Sequence, residues 1–466
     1  MFLRTRRIHF VGIGGIGMSG IAEVLRNLGY AVSGSDLRAS DTTERLAGLG
    51  VQIMIGHAGN NVVGAHVVVR STAVKADNPE VVAARDQGIP VIPRAEMLAE
   101  LMRMKSGVAV GGTHGKTTTT SLLAAIFAAG GMDPTIVVGG KLNSVGTNAV
   151  LGRGDWMLAE ADESDGSFLY LSPILSIVTN IDAEHLDHHG TEENLQDAFL
   201  EFINRVPFYG AGVLCIDHPT IQKLLPRVTK RYITYGFSSQ ADLRAVDVSV
   251  HDGASHFSVM RGDEFLGPVT LHIPGRHNVL NALAAIATAM EAEIPFPVIQ
   301  RALAGFEGVQ RRFTIRGEIA GVTVVDDYAH HPAEIRATLA AARENYGRRI
   351  VAVWQPHRYS RVIDLRDDFM RAFNDADVVC VMDVYRAGED EVEGLDAAAL
   401  ARDLRHHGHK SALSTPSHDD VLARLRVVAR KGDVILTLGA GDVTLLSDRL
   451  LGVVIDAAPP TLEFDG

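Results

Sequence analysis

A glycine turn followed by a lysine and a run of hydroxyls is the first chemistry the chain offers. Gly112, Thr113, His114, Gly115, Lys116, Thr117 and Thr118 follow a strand-like run, Gly107 to Val110, and open an uncharged stretch to Met132 that reads as a buried helix. Backbone N–H groups of such a turn cradle phosphates, the lysine ammonium reaches the terminal phosphate, and the threonine hydroxyl ligates Mg2+. A strict P-loop has a further glycine five positions before Gly115; here that position is Val110, so the loop is a variant. Two acidic clusters follow later strand-like runs. Glu160, Asp162, Glu163 and Asp165 form one, and Asp182, Glu184, His185 and Asp187 the other. Ligands gather at the carboxyl ends of strands in open parallel sheets. Both clusters are therefore expected beside the turn, where crowded carboxylates favour Mg2+. His185 reads equally well as a ligand and as a capping or core histidine.

A second glycine turn lies near the start of the chain. Gly12, Gly14 and Gly17 fit G-x-G-x-x-G between a strand-like and a helix-like run, and Asp36 closes the next strand nineteen residues after Gly17. Such a turn brings backbone and a helix N-terminus to a diphosphate, and an acid at that distance reads a ribose. The pattern points to a nucleotide without saying which one. Further on, Arg312 stands at a block boundary, and Arg358 and Arg361 follow the strand-like run Ile350 to Pro356. Arginine suits two-pronged contacts with phosphate or carboxylate. Asp327, Tyr328, His330 and His331 precede Pro332, which is expected at the first position of a helix. His406, His407 and His409 read as a solvated connector.

Short β-branched runs alternate with Ala/Leu-rich helical runs along the whole chain, the pattern of βαβ units and parallel sheets buried on both faces. The fold class is therefore α/β, with blocks expected at 1–106, 107–311 and 312–466. Residues 232 to about 275 alternate polar and apolar with glycine turns, which predicts antiparallel hairpins on the middle block. The tail from Ala457 to Gly466 is expected to be loose. Hydrophobic residues make up 46% and charged residues 21%, the balance of a folded soluble protein. The formal net charge of −12 argues against a broad nucleic-acid surface. Cys215 and Cys380 both lie in strand-like runs and read as reduced core thiols of a cytoplasmic protein. Neither a signal peptide nor a run of 18 apolar residues is apparent, so no stable membrane insertion is expected.

Taken together and in order, the strings HFVGIGGIGMSGIAEVL, GTHGKTTTTS, EADESDGSF, TNIDAEHLDHHG, PGRHNVLNALAAI, GVQRRF, DDYAHHPAEI, WQPHRYSR and DVYRAGE resemble the Mur ligase family, which builds the peptide stem of bacterial peptidoglycan. The resemblance runs from about His9 to Asp442. It implies an N-terminal Rossmann-like domain for a UDP-sugar, a central P-loop-type domain for ATP and Mg2+, and a C-terminal Rossmann-like domain that closes over the site with the amino acid. In the alanine-adding branch, which ESDGSF fits, the substrates are UDP-N-acetylmuramate, L-alanine and ATP. Gly14, Gly15, Ile16, Gly17, Asp36, Ser71 and Thr72, with His114, fall on the UDP-sugar side. Lys116 falls at the terminal phosphates, and Thr117, Glu160 and His185 at positions associated with magnesium. His277 and Asn278 fall on the adenine side, where Asn278 also reads as a helix N-cap. Asp327 is placed by the nucleotide, and Tyr328, His330 and His331 by the amino acid. Arg312 is expected to neutralise the γ-phosphate, joined by Arg358 and Arg361 on closure. Several relatives use a modified lysine for a second magnesium; no lysine lies between Lys141 and Lys223, an absence shared by the alanine-adding branch. The nearest rival is the branch that recycles a whole tripeptide, and an NAD-dependent oxidoreductase is a remote one. A monomer or weak homo-oligomer is expected.

Overall fold

A computed structural model describes residues 6–71, 73–138 and 149–452, with the side chains of Ile16 and Asp187 excepted. Thr72 and the tail from Ala457 lie outside the described residues. Three sheets succeed one another along the chain. The first is all parallel, in the spatial order Gln52–Ile55, Ala31–Asp36, Arg7–Val11, Val67–Arg70 and Val91–Pro93.

Among the described residues the second sheet has ten strands. Its parallel centre sets Ser106–Gly111 between Leu175–Val178 and Trp156–Glu160. Ala211–Cys215 and Tyr232–Gly236 extend it beyond Leu175–Val178. At one edge lie Leu243–His251, Ala254–Arg261 and Glu264–Leu271, joined by two-residue turns. Asp252 and Gly253 both have positive φ, 53° and 76°, the backbone that a tight hairpin turn requires. The expected hairpins are therefore present from Leu243 on, whereas Tyr232–Gly236 departs from the expectation and pairs in parallel with both neighbours.

The third sheet runs Thr314–Ile319, Val322–Asp327, Val434–Leu438, Ile350–Trp354, Val378–Val381 and Ala412–Ser414, with only the first strand antiparallel. By contact density the chain divides into two compact units. One comprises residues 1–247, 257–269 and 280–309; the other comprises 248–256, 270–279 and 310–466.

The expected α/β alternation holds because the strands are apolar on both faces. Every residue of Ile350–Trp354 and of Val434–Leu438 is buried. Helix Lys116–Ala129 is buried along most of its length despite its threonines. Its hydroxyls turn back on the helix, with Thr120 Oγ1 donating to Lys116 O at 2.9 Å and Ser121 Oγ to Thr117 O at 2.7 Å. Polar groups are thereby satisfied inside an apolar layer. Cys215 and Cys380 are free and buried, and burial pushes both thiols up to about 12. Among the described residues no helix is long and apolar enough to cross a membrane. The histidines around residue 407 close helix Ala397–His406 and lie mostly at the surface, with His409 Nε2 bonded to Ala376 O at 3.0 Å.

The core of the second unit is built on Trp354, fully buried between Phe369 and Phe373 at ring distances of 5.1 and 4.9 Å. Trp354→Ala is expected to cost about 3–5 kcal/mol in urea melts followed by circular dichroism. A cost under about 1 kcal/mol would mean that this cluster does not hold the sheet.

Candidate active site

Strand Ser106–Gly111 runs into the glycine turn, and helix Lys116–Ala129 leaves it. Gly112 has φ +127°, and a Cβ there would stand 2.1 Å from Thr179 Oγ1. Gly115 has φ +86°, and its Cβ would stand 2.5 Å from Asn281 Oδ1. Both positions exclude a side chain on two grounds, backbone conformation and space. The turn is braced from the neighbouring strand. His114 N donates to Asn180 Oδ1 at 2.7 Å, while Asn180 Nδ2 and Thr179 Oγ1 donate to His114 O at 3.0 and 2.5 Å. The His114 ring reaches Asp182 at 3.3 Å, and His218 reaches its other oxygen at 3.2 Å. Burial would raise the Asp182 carboxyl, but the two imidazoles hold it well below the usual carboxylate range.

Lys116 does not point into open space. Its Nζ donates to Gly112 O at 2.6 Å and Thr113 O at 3.1 Å, and to both oxygens of Glu163 at 2.8 and 2.9 Å. Burial would lower the pKa of the ammonium, but Glu163, with Asp162 and Glu160 behind it, carries it above its ordinary value. Burial pushes the Glu163 carboxyl up, and Lys116 opposes that rise. Glu160 ends strand Trp156–Glu160 and pairs in register with Val110, one residue before the turn begins to form. His185 has φ +57° and stands 4.0 Å from Glu163 and 3.9 Å from Glu184. Among the described residues no three His, Cys, Asp or Glu side chains converge as a metal cage. Two oxygen donors, Thr117 in the first turn of helix Lys116–Ala129 and Glu160 at the end of its strand, suit instead a magnesium completed by substrate phosphates and water.

The N-terminal turn lines a separate cleft of about 670 Å³, together with Asp36, His57 and Ser71. Asp36 is already engaged, because Gly14 N donates to its Oδ2 at 2.8 Å and a Cβ on Gly14 would collide with that oxygen. Gly17 faces Arg94, whose guanidinium also lies 3.5 Å from Asp162. Beneath the cleft, Glu80 is fully buried. Its carboxylate takes hydrogen bonds from Ser35 at 2.6 Å, Asn61 at 2.5 Å and Ala58 N at 3.2 Å, and lies 3.3 Å from His9. His57, on the cleft wall, bonds to Ser35 at 3.0 Å. Burial would raise Glu80, but the hydrogen bonds from His9, Ser35 and Asn61 outweigh it and hold the carboxyl at about 2.

In the second unit, Arg312 is set between two residues of positive φ, Arg311 at 58° and Phe313 at 49°. Asp327 fixes this bend by accepting from Phe313 N and Ala329 N, both at 2.7 Å. Burial pushes the Asp327 carboxyl up to about 6, against the pull of Arg312 and these two N–H groups. Arg311 and Arg312 lie over the Tyr328 ring at 4.9 and 5.2 Å. Glu334 ties the cluster together, standing 3.6 Å from Arg312 and accepting from His330 N and His331 N at 3.0 and 3.3 Å. Pro332 is the first helical residue, as expected, and His331 is the cap before it. His357 stacks on Tyr385 and meets Arg361 Nη1 at 3.4 Å. Desolvation, with His330, Arg361 and Arg358 nearby, holds the His357 imidazole at about 4, so it is neutral at pH 7. Arg358 is exposed, with φ +68° and its N–H bonded to Tyr385 O. His277 is held at about 4 by desolvation and by Arg312.

One expectation is overturned. Asn278 is not an N-cap: helix Arg276–Glu291 begins two residues earlier, after Gly275 at φ +114°. Asn278 N already bonds to Gly275 O, and its side-chain amide turns back to Pro274 O at 2.8 Å. The sequence-predicted residues otherwise form local groups within each unit. The partnerships of Glu163, Asn180, Asn281, Arg94 and Glu80 were not read from sequence. The role of Glu334 was readable, since His331-x-x-Glu334 has the spacing of a capping box.

Comparison with known proteins was made against this geometry. Residues 7–106 match the model of the Mur ligase family catalytic domain, 110–289 the Mur ligase middle domain, and 311–441 the Mur ligase glutamate ligase domain. A UDP-N-acetylmuramate–L-alanine ligase of Anaeromyxobacter sp. is 59% identical over 452 residues, covering 97% of this chain and 98% of that one. One of Geobacter sp. is 57% identical with the same coverage. The crystal structure of a UDP-N-acetylmuramate–alanine ligase of Thermotoga maritima aligns with a TM-score of 0.79 at 31% identity, covering 96% of this chain and 98% of that one. A murein peptide ligase of Psychrobacter arcticus aligns with a TM-score of 0.68 at 25% identity, covering 97% and 99%.

The depressed Glu80 carboxyl carries a stability prediction. Its folded value of about 2 lies below the ordinary 4.5, so its contribution is present above pH 4.5 and is lost as pH falls toward 2. Glu80→Gln is expected to be less stable than the parent by about 2–3 kcal/mol near pH 7, with the difference shrinking below pH 4.5 in urea melts. A difference that stays constant from pH 7 to pH 3 would contradict the ionised network.

Proposed function

The chain belongs to the Mur ligase family, and from that premise we propose that it joins L-alanine to the lactyl carboxylate of UDP-N-acetylmuramate at the expense of ATP. The reaction supplies peptidoglycan precursor in the cytoplasm. The observation that carries this reading is a braced phosphate turn with Lys116 among strand-end carboxylates, in a chain 59% identical over nearly its full length to a ligase of that name. The tripeptide-recycling alternative is less supported, since a murein peptide ligase structure aligns at 25% identity and a TM-score of 0.68, against 31% and 0.79 for the alanine ligase structure.

A carboxylate is a poor acyl electrophile, so amide formation near neutral pH requires activation. A lactyl carboxylate oxygen attacks the γ-phosphorus of ATP, the bond to the β,γ-bridging oxygen breaks, and ADP leaves. The amine of alanine then attacks the acyl carbon of the mixed anhydride, loses a proton, and displaces phosphate. Phosphoryl transfer of this kind is chiefly positioning and charge neutralisation. Backbone N–H groups where the turn enters helix Lys116–Ala129 and the Lys116 ammonium take the terminal phosphates, while Arg312, Arg358 and Arg361 neutralise charge from the C-terminal block. Magnesium, when bound near Thr117, Glu160 and His185, supplies further charge neutralisation across the phosphates. His277 and Asn278 take the adenine side. Gly14, Gly15, Gly17, Asp36 and Ser71 bind the UDP portion, a reading supported for Gly14, Gly15, Asp36 and Ser71 by their place on the 670 Å³ cleft. Tyr328 and His330 receive the amino acid beside Arg312.

Neutralisation places most of the rate in a few cations. Lys116→Ala is expected to lower kcat for phosphate release by about 10²–10³-fold with all three substrates present; an unchanged rate would remove Lys116 from the mechanism. The substrate assignment is tested by product mass from ATP, UDP-N-acetylmuramate, a mixture of amino acids and the stem tripeptide. The alanine adduct is expected to dominate, with glycine and serine discriminated by only about 1–3 kcal/mol each. A tripeptide adduct in place of the alanine adduct would overturn the assignment.

A further inference from the structure

The contact between Lys116 and Glu163 has no part in the steps above, yet it occupies the cation those steps need. An ammonium has three protons to donate. Lys116 shares them among four acceptors, two turn carbonyls and both oxygens of Glu163. Glu163 is 3% exposed and cannot relax into water. Its backbone is pinned as well, because its carbonyl accepts from Gly166 N at 3.1 Å and from His189 Nε2 at 2.8 Å. Asp162 and Glu160 add negative charge around the same ammonium.

A nucleotide that claims Lys116 must break this pair. Bare ATP would then strand a buried carboxylate, without a counter-ion, beside a triphosphate of the same sign, which is heavily penalised. A divalent cation arriving with the triphosphate removes that penalty, because it neutralises the phosphates and the stranded carboxylate together. We propose that Glu163 is a counter-ion latch on the P-loop lysine, which makes nucleotide entry conditional on an accompanying divalent cation. Glu163 is thus a positioning residue acting through Lys116. The inference rests on Lys116 being the phosphate ligand, and it adds to that reading the expectation that metal-free nucleotides bind poorly.

The test is equilibrium binding of ATP to the full chain, without UDP-sugar or amino acid, by calorimetry in excess EDTA and again in excess Mg2+. Glu163→Gln keeps the shape and removes the charge. It is expected to bind metal-free ATP about tenfold or more tightly than the parent, so that the ratio of Kd without and with Mg2+ shrinks by that factor. Glu163→Asp, which keeps the charge on a shorter arm, is expected to tighten metal-free binding by a smaller factor, about threefold, and serves if the glutamine variant does not fold. Metal-free affinity equal to or weaker than the parent's in the folded variants would overturn the latch. Lys116→Ala separates the two readings. If it binds Mg-ATP as tightly as the parent, the P-loop assignment itself fails. If it loses binding while Glu163→Gln shows no tightening, only the latch fails.

Discussion

One half-buried ammonium set among carboxylates governs the first unit. Lys116 is the cation at the end of strand Ser106–Gly111, and Glu160, Asp162 and Glu163 approach it from the end of the adjacent strand. Charges so close in a poorly solvated place are tolerable only with fixed partners. Much of the local structure follows from that need. Gly112 and Gly115 let the turn pass within contact of Thr179 and Asn281, and Asn180 locks it from behind. His114 gains an orientation by pairing with Asp182, which His218 holds from the other side. The turn is therefore preformed, and little ordering remains when phosphates arrive.

The second unit holds a related cluster of charges. Here Asp326, Asp327 and Glu334 surround Arg311 and Arg312. Arg311 reaches Asp326 and the carbonyls of Gly439 and Gly441, while Arg312 lies over Tyr328 with Glu334 at 3.6 Å and the Asp327 carboxyl acting on it as well. The positive φ values on both sides of Arg312 are maintained by Asp327, whose two oxygens each take a backbone N–H. Strain held by a buried carboxylate next to a partly committed arginine is an arrangement suited to presenting a cation to an anionic substrate. The depressed values of His277 and His357 come first from burial, to which nearby positive groups add, Arg312 for His277 and His330, Arg361 and Arg358 for His357.

What the sequence made legible was local. The alternation of β-branched and Ala/Leu-rich runs revealed buried parallel strands, and Gly-Lys-Thr between such runs marked the phosphate turn, because both signals lie within a few residues. The hairpin edge was legible for the same reason, through Asp252 and Gly253. The partner of Lys116 was not. Glu163 lies 47 residues away in a cluster of acids that look alike in sequence, and only the turn at Gly166 decides which of them faces the lysine. Glu80 was invisible as a functional support because a lone glutamate after Asn-Pro reads as an ordinary first-turn helix acid, which it also is. Asn278 was misread because Asn before an apolar run resembles a cap; the left-handed Gly275 had already started the helix.

The central claim is that these preset charges turn an inert carboxylate into an acyl phosphate. The most direct measurement uses UDP-N-acetylmuramate labelled with oxygen-18 in the lactyl carboxylate, with ATP, L-alanine and the intact chain, and follows the label by mass spectrometry of the released phosphate. Transfer of one labelled oxygen into each inorganic phosphate is predicted. Amide product formed with unlabelled phosphate would contradict the account.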